Sequence, residues 1–214
     1  MKRRLVRSAF VILVTAGSLV CAQQSQEAPA ASEAAQKNIL RIAKQVQSEI
    51  LKLPQYGVFD DIHFGIKGED TVILRGQASR PVLKSSAENV VKKIEGVKTI
   101  QNEIEVLPVS PNDDRIRAAV YYRIYSQPTL QKYTSNRGGS ARMTGRSSVA
   151  RTMGITNDPP IGYHAIHIIV KNGNVNLKGV VNNNSDSAIA EMQANQTPGV
   201  FSVDNDLYIA TQEK

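Results

Sequence analysis

The sequence predicts an α+β protein built from two repeated α-β-β-α-β domains, each a three-stranded mixed sheet packed on two helices. Three observations carry this prediction. Val72-Ile73-Leu74-Arg75-Gly76 and Val175-Asn176-Leu177-Lys178-Gly179 share one pattern, V-x-L-(basic)-G, at an offset of 103 residues. The same offset relates Gly96-Val97-Lys98-Thr99-Ile100-Gln101-Asn102 to Gly199-Val200-Phe201-Ser202-Val203-Asp204-Asn205. Upstream, Ile42, Val46, Ile50 and Pro54 return as Ile116, Val120, Ile124 and Pro128, at the shorter offset of 74. Repeats at fixed offsets are the signature of an internal duplication.

The first helix of each copy follows from its spacing. Ile39, Ile42, Val46 and Ile50 recur at three- and four-residue steps, which gathers them on one helical face, and Pro54 ends the run. A hairpin comes next. Ile62, Phe64 and Ile66 alternate with His63, Gly65 and Lys67, a half-buried strand. Gly68-Glu69-Asp70 turns the chain, and Val72 and Leu74 return on the same face. In the second copy the turn is Asn172-Gly173, a strong two-residue hairpin signal. It sets Val170 against Val175 and Ile168 against Leu177, so the core face is Ile166, Ile168 and Val170.

Gly76 and Gly179 close the second strand, where glycine allows positive φ or a close backbone approach. Ser79 and Asn182 are the expected N-caps of a second helix. That helix carries Val82, Ala87, Val90, Val91 and Ile94, and in the copy Ile189 and Met192; Gly96 and Gly199 stand where a C-cap glycine belongs. The last strand holds Ile100, Ile104 and Val106, then Val203, Leu207 and Ile209. A strand, helix and strand in succession make a crossover, so those two strands run parallel and the sheet is mixed.

The expected organisation is a signal peptide over 1–22, a flexible tether over 23–35, a first domain over 36–107, a linker over 108–112 and a second domain over 113–210. Lys2, Arg3, Arg4 and Arg7 precede an apolar run from Ala9 to Val14, too short for a membrane span. Val20-Cys21-Ala22 suits ordinary cleavage before Gln23 and a periplasmic product; the alternative is lipidation of Cys21 in an outer-membrane lipoprotein, against which stand Ser18 and Val20. Cys21 is the single cysteine, so no intramolecular disulfide forms. The formal charge of +7 includes the four cations of Met1–Arg7. Residues 23–110 are balanced, whereas 111–214 hold eleven bases against eight acids, which argues against a nucleic-acid protein built on overall charge.

These residues resemble the BON domain: the paired V-x-L-x-G, the downstream G-V-x-x-(I/V)-x-N and the amphipathic helix in front, over about 36–107 and 113–210. Two such domains behind a signal resemble the osmotically inducible periplasmic protein Y family and its dual-domain lipoprotein relatives. The resemblance implies an envelope-binding role, phospholipid as the ligand class, and no enzyme activity or cofactor. One departure stands out. Between its first helix and first strand, the second copy is thirty residues longer.

That insertion, about 134–160, holds Arg137, Arg142, Arg146 and Arg151 against one acid, Asp158. It reads either as a solvated loop or as an arm for phosphates on an anionic envelope surface. On the preceding helix, Tyr121 and Tyr125 are expected outward, beside Arg117, either for a peripheral membrane contact or packed under the insertion or the first domain. Asn102 and Asn205 read either as ligand contacts or as amides that satisfy loop backbone. His164-Ala165-Ile166-His167 looks like a metal pair, but residues three apart in a strand point to opposite faces, so no metal site is expected. No phosphate loop, dinucleotide fingerprint or nucleophile motif occurs, and Gly138-Gly139 lacks a flanking strand and helix. The expected function is binding of anionic phospholipid or another envelope polyanion, with a stress chaperone or adaptor for an envelope protein partner as the alternative.

Overall fold

The computed structural model describes residues 27–135, 155–156, 159–160 and 162–210, with side chains from Glu33 onward. The described residues from Asn38 onward form one compact unit that contains both copies. The first copy comprises α1 (Glu27–Leu51), β1 (Asp61–Lys67), β2 (Thr71–Ala78), α2 (Pro81–Val91), β3 (Thr99–Asn102) and β4 (Glu105–Val106). The second comprises α3 (Pro111–Tyr125), β5 (Ile166–Lys171), β6 (Asn174–Val181), α4 (Asn184–Asn195) and β7 (Ser202–Ile209). In each, an antiparallel hairpin is extended by a parallel third strand, which β3 and β4 build in two pieces.

The register agrees with the sequence pattern. Phe64 faces Leu74 and Ile66 faces Val72; Ile168 faces Leu177 and Val170 faces Val175. Leu74 and Leu177 are both fully buried, as are the helix positions Ile42, Val46, Val120 and Ile124. Apolar faces of two helices and one sheet close each core.

Several boundaries differ. α1 starts at Glu27, inside the stretch expected as a tether. Ala28, Ala30, Ala31, Ala34 and Ala35 are strong helix formers, and Pro29 falls in the first turn, where its missing N–H is not needed. α3 starts at Pro111, within the expected linker, because the Ser110 side chain accepts from Asp113 N–H and caps it. The second helices start one residue late: Arg80 and Asn183 are the caps, with Asn183 accepting from Asp186 N–H. Ser79 and Asn182 instead have their backbone N–H groups bound, by Asp60 Oδ1 at 2.6 Å and Tyr133 Oη at 2.7 Å. On the helix faces Ala87, Val91 and Ile94 are buried as expected, but Leu83 is buried in place of Val82, and Met192 lies outside while Ala190 and Ala194 pack inside. Gly96 and Gly199 lie beyond the helix ends, each in a four-residue turn closed by Val97 N to Ile94 O and by Val200 N to Thr197 O.

Gly76 and Gly179 set the hairpin geometry. Both have positive φ, and a Cβ on either would lie 2.0 Å from a carbonyl oxygen of the opposite strand, Asp61 or Ala165. The close approach lets the hairpin bend over its helices. Gly76→Ala and Gly179→Ala are each expected to cost at least about 2 kcal/mol in urea denaturation, whereas Gly65→Ala, in open space, stays within about 0.5 kcal/mol.

The copies are joined through a loop. Val58 and Phe59, between α1 and β1, are 0% and 1% exposed and belong to the hydrophobic cluster of the second copy, not the first. Val58 O accepts from Ile168 N–H of β5 at 2.8 Å. Asp60 shapes the loop, accepting from Gly57 N–H and Ser79 N–H. Burial pushes its carboxyl up, and those two backbone donors oppose the rise.

Candidate functional site

On helix α3, Tyr121 and Tyr125, beside Arg117, were read either as an outward membrane contact or as packed under the insertion or the first domain, and the structure shows the packed arrangement. All three are buried, at 1%, 3% and 7% exposure. The physical reason is cover on two sides. Ile116, Val120 and Ile124 face the sheet, while the next stripe faces Ile155, His164 and the Val58-Phe59 loop. Arg117 Nη1 donates to Asp114 at 2.8 Å and Thr156 Oγ1 at 3.0 Å, and Nη2 donates to Val170 O at 2.8 Å. Thr156 also bonds Asp114. Arg117 is therefore a strut that ties the returning limb of the insertion to β5. Tyr125 Oη donates to Ile166 O at 2.7 Å, and burial raises its pKa strongly. Desolvation pushes Tyr121 up to about 12.

The outer face of α3 is instead Arg115, Tyr122 and Arg123. Arg115 is exposed, Tyr122 is 37% exposed and Arg123 is half-buried. Neither arginine forms an ion pair among the described residues. A signal for the second buried stripe was present: the run Ile116-Arg117-Ala118-Ala119-Val120-Tyr121-Tyr122 has too few charges for a helix with one dry face. Arg137, Arg142, Arg146 and Arg151 lie outside the described residues.

The two limbs of the insertion meet at its base. Ala165 N–H bonds Tyr133 O at 2.8 Å, Ser135 N–H bonds Tyr163 O at 3.0 Å, and Thr134 bridges His164 between them. Tyr133 Oη donates to Asp186, which also pairs with Lys132 at 2.7 Å. Burial would raise the Asp186 carboxyl, but bonds from Lys132, Tyr133 and Asn183 hold it low.

His164 Nδ1 lies 2.9 Å from Gly162 O, so that nitrogen carries the proton and Nε2 accepts from Tyr121 Oη at 3.1 Å. This is a neutral imidazole, and burial lowers its pKa to about 4. An unfolded histidine titrates near 6.5, so stability is full above about pH 6.5 and falls as pH drops towards 4. The expected loss in urea denaturation is of order 3 kcal/mol between about pH 7 and 4. His164→Gln should reduce that slope, with the buried His167 supplying a remainder; an unchanged slope would assign it elsewhere.

His167 points the other way. Its ring lies 5.6 Å from that of Tyr56 in the first copy, and burial lowers its pKa. The two histidines thus point apart, His164 ahead of β5 towards Tyr121 and His167 on β5 towards Tyr56, and no three metal-ligating side chains gather among the described residues. Beside this contact, Lys178 of β6 reaches Asp61 and Gln77 of the first copy at 3.1 and 3.2 Å. Between the outer sheet faces lies a cleft of about 300 Å³, lined by Gln77, Glu105, Ile169, Lys171, Asn176 and Asp204.

Asn102 and Asn205 are interior staples. Asn102 Nδ2 donates to Lys84 O and Glu88, and its Oδ1 accepts from Ile104 N–H. Asn205 repeats this with Ser187, Glu191 and Leu207 N–H. Every partner is 103 residues from its counterpart. The asparagine fixes strand to helix in both copies.

A family model for the BON domain matches residues 38–108 and 147–211, more than half of the chain. The chain belongs to the BON-domain family. BON domains are non-catalytic binding modules associated with phospholipid. In this BON protein the second match opens inside the insertion, because thirty extra residues part α3 from the strands it packs on. No curated protein matches the chain. Two solved structures of CdsD, a structural protein of the Chlamydia trachomatis type III secretion system, are similar to it at 12% identity. One, of the C-terminal domain, covers 78% of this chain and 96% of its own; the other covers 79% and 92%. Both have a TM-score of 0.25, too low to support an inference. Among the described residues no helix is long and apolar enough to cross a membrane.

Proposed function

We propose that this BON protein is a secreted, non-enzymatic envelope component that binds an anionic surface, phospholipid first, and thereby supports envelope integrity under stress. The periplasm is its proposed site, after cleavage before Gln23 or with Cys21 lipidated. The first copy acts as scaffold and the second as binder.

The observation that carries this reading is the outer face of α3. Arg115, Tyr122 and Arg123 stand where the first copy has Arg41, Ser48 and Glu49. Arg41 is occupied locally, by Asn38, Gln45 and Glu95 O. Among the described residues Arg115 bonds only Asn112, at 3.4 Å. A cationic face with one amphipathic ring suits a headgroup layer, where the ring sits at the interface and the guanidinium groups bind phosphate. The four insertion arginines, Arg137, Arg142, Arg146 and Arg151, would add charge to the same copy.

Vesicle flotation tests the reading, using residues 23–214, which retain the whole compact unit. The protein should float with phosphatidylglycerol-containing vesicles and not with pure phosphatidylcholine. Arg115→Gln with Arg123→Gln should cost about 2 kcal/mol of binding at low salt, at about 1 kcal/mol per cation. It should also flatten the salt dependence and leave folding stability within about 0.5 kcal/mol. Unaltered flotation of the double variant would remove α3 from the site, and suppression of client aggregation without flotation would favour the chaperone or adaptor role.

A further inference from the structure

The duplication provides an internal comparison at the end of each copy where the hairpin turn meets the turn after the second helix. In the first copy Lys98 N–H donates to Asp70 O at 2.8 Å, and the side chains form an ion pair at 3.0 Å. In the second copy the same positions, 103 residues on, are Phe201 and Gly173. The backbone bond is kept, Phe201 N–H to Gly173 O at 2.9 Å, but the ion pair is replaced by a phenyl ring that is 88% exposed.

The ring is held out, not left loose. Its turn is closed by Val200 N–H to Thr197 O, Gly199 is packed on Ile116 of α3, and Val200 joins the core. On the hairpin side, both Asp113 oxygens grip the Asn172 and Gly173 N–H groups at 2.9 Å, which seats the N-terminus of α3 at the same end. Immediately before that helix, Val109 is 93% exposed. Val109 and Phe201 are the two most exposed large apolar side chains among the described residues. Arg115, which forms no ion pair among the described residues, lies in the helix turn that follows, while Asp113 is buried with its oxygens occupied.

We propose that this end of the second copy is a membrane wedge: Phe201, with Val109, enters the acyl boundary of an anionic bilayer while Arg115 holds the headgroup phosphates. The proposal rests on the anionic-surface reading and adds to it which end of the molecule enters the lipid. Exposed rings flanked by cations favour the interface over water, because the ring loses apolar exposure and the cation gains a phosphate. A bilayer explains both the ring and the cation, whereas burial in the fold explains neither.

The chain contains no tryptophan, so Phe201→Trp places the only indole fluorophore at the wedge. The measurement uses residues 23–214 with phosphatidylglycerol–phosphatidylcholine vesicles, with and without bromine on the acyl chains. Emission from the introduced indole should shift to the blue and be quenched by the brominated chains. Phe201→Ser, which removes the ring without adding charge, should weaken flotation about tenfold, from loss of part of a phenylalanine's burial. Val82→Ser, at another exposed apolar site, should leave it unchanged. If the Phe201→Trp variant floats but its indole stays unquenched, the wedge is wrong and the α3 reading stands. If nothing floats with anionic vesicles, both are wrong.

Discussion

The structure depends on one contact, the placement of Val58 and Phe59 of the first copy in the core of the second. Phe59 packs edge-on against Tyr121 at 6.3 Å between ring centroids. Val58 O takes an N–H of Ile168 on β5. That bond occupies the middle of the β5 edge, and an open strand edge would invite pairing with other chains. The same loop explains why α3 buries two stripes instead of one. Its second stripe meets the first copy's loop and the returning limb of the insertion together, so the long insertion is tied down at Ile155 and Thr156.

On one skeleton, the two copies carry different surfaces. The glycine close approach, the asparagine staple and the hairpin register recur with the same partners. Outside the core the chemistry diverges: Ser48 gives way to Tyr122, Glu49 to Arg123, Lys98 to Phe201, Gln77 to Val180 and Glu105 to Tyr208. Gln77 and Glu105 look into the cleft between the sheets, where they meet Lys178 and Lys171 of the second copy. The first copy thus uses its polar outer face to hold the second, and the second shows rings and cations to its surroundings. That division of labour is the physical basis for treating one copy as buttress and the other as binder.

Much of the fold was legible because it rests on periodicity. Leu74, Leu177, Ile168 and Val170 follow from alternation and turn length alone. Both asparagines were readable as internal staples, since a carboxamide on the core face needs partners within the fold. The helix faces were harder to read. Ser79 and Asn182 have capping chemistry, but their N–H groups are bound by Asp60 and Tyr133, partners distant in sequence, and Val82 and Met192 lie at the margin of their apolar faces, where Leu83, Ala190 and Ala194 are buried instead. The candidate site was least legible. Arg117, Tyr121 and Tyr125 look like a binding stripe on an isolated helix, and what covers them comes from residues 58–59, 155–156 and 164. Nothing local announces such a contact, although the scarcity of charge around α3 hinted at it.

The most direct test of the buttress is native-state hydrogen exchange on Phe59→Ala. Phe59 belongs to the first copy by sequence but to the second by packing. Emptying a buried phenylalanine site costs about 3–5 kcal/mol. The account predicts that protection falls in α3, β5 and β6 of the second copy at least as much as in β1 and β2 of the first. A loss confined to residues 38–107, with α3 and β5 still fully protected, would contradict it.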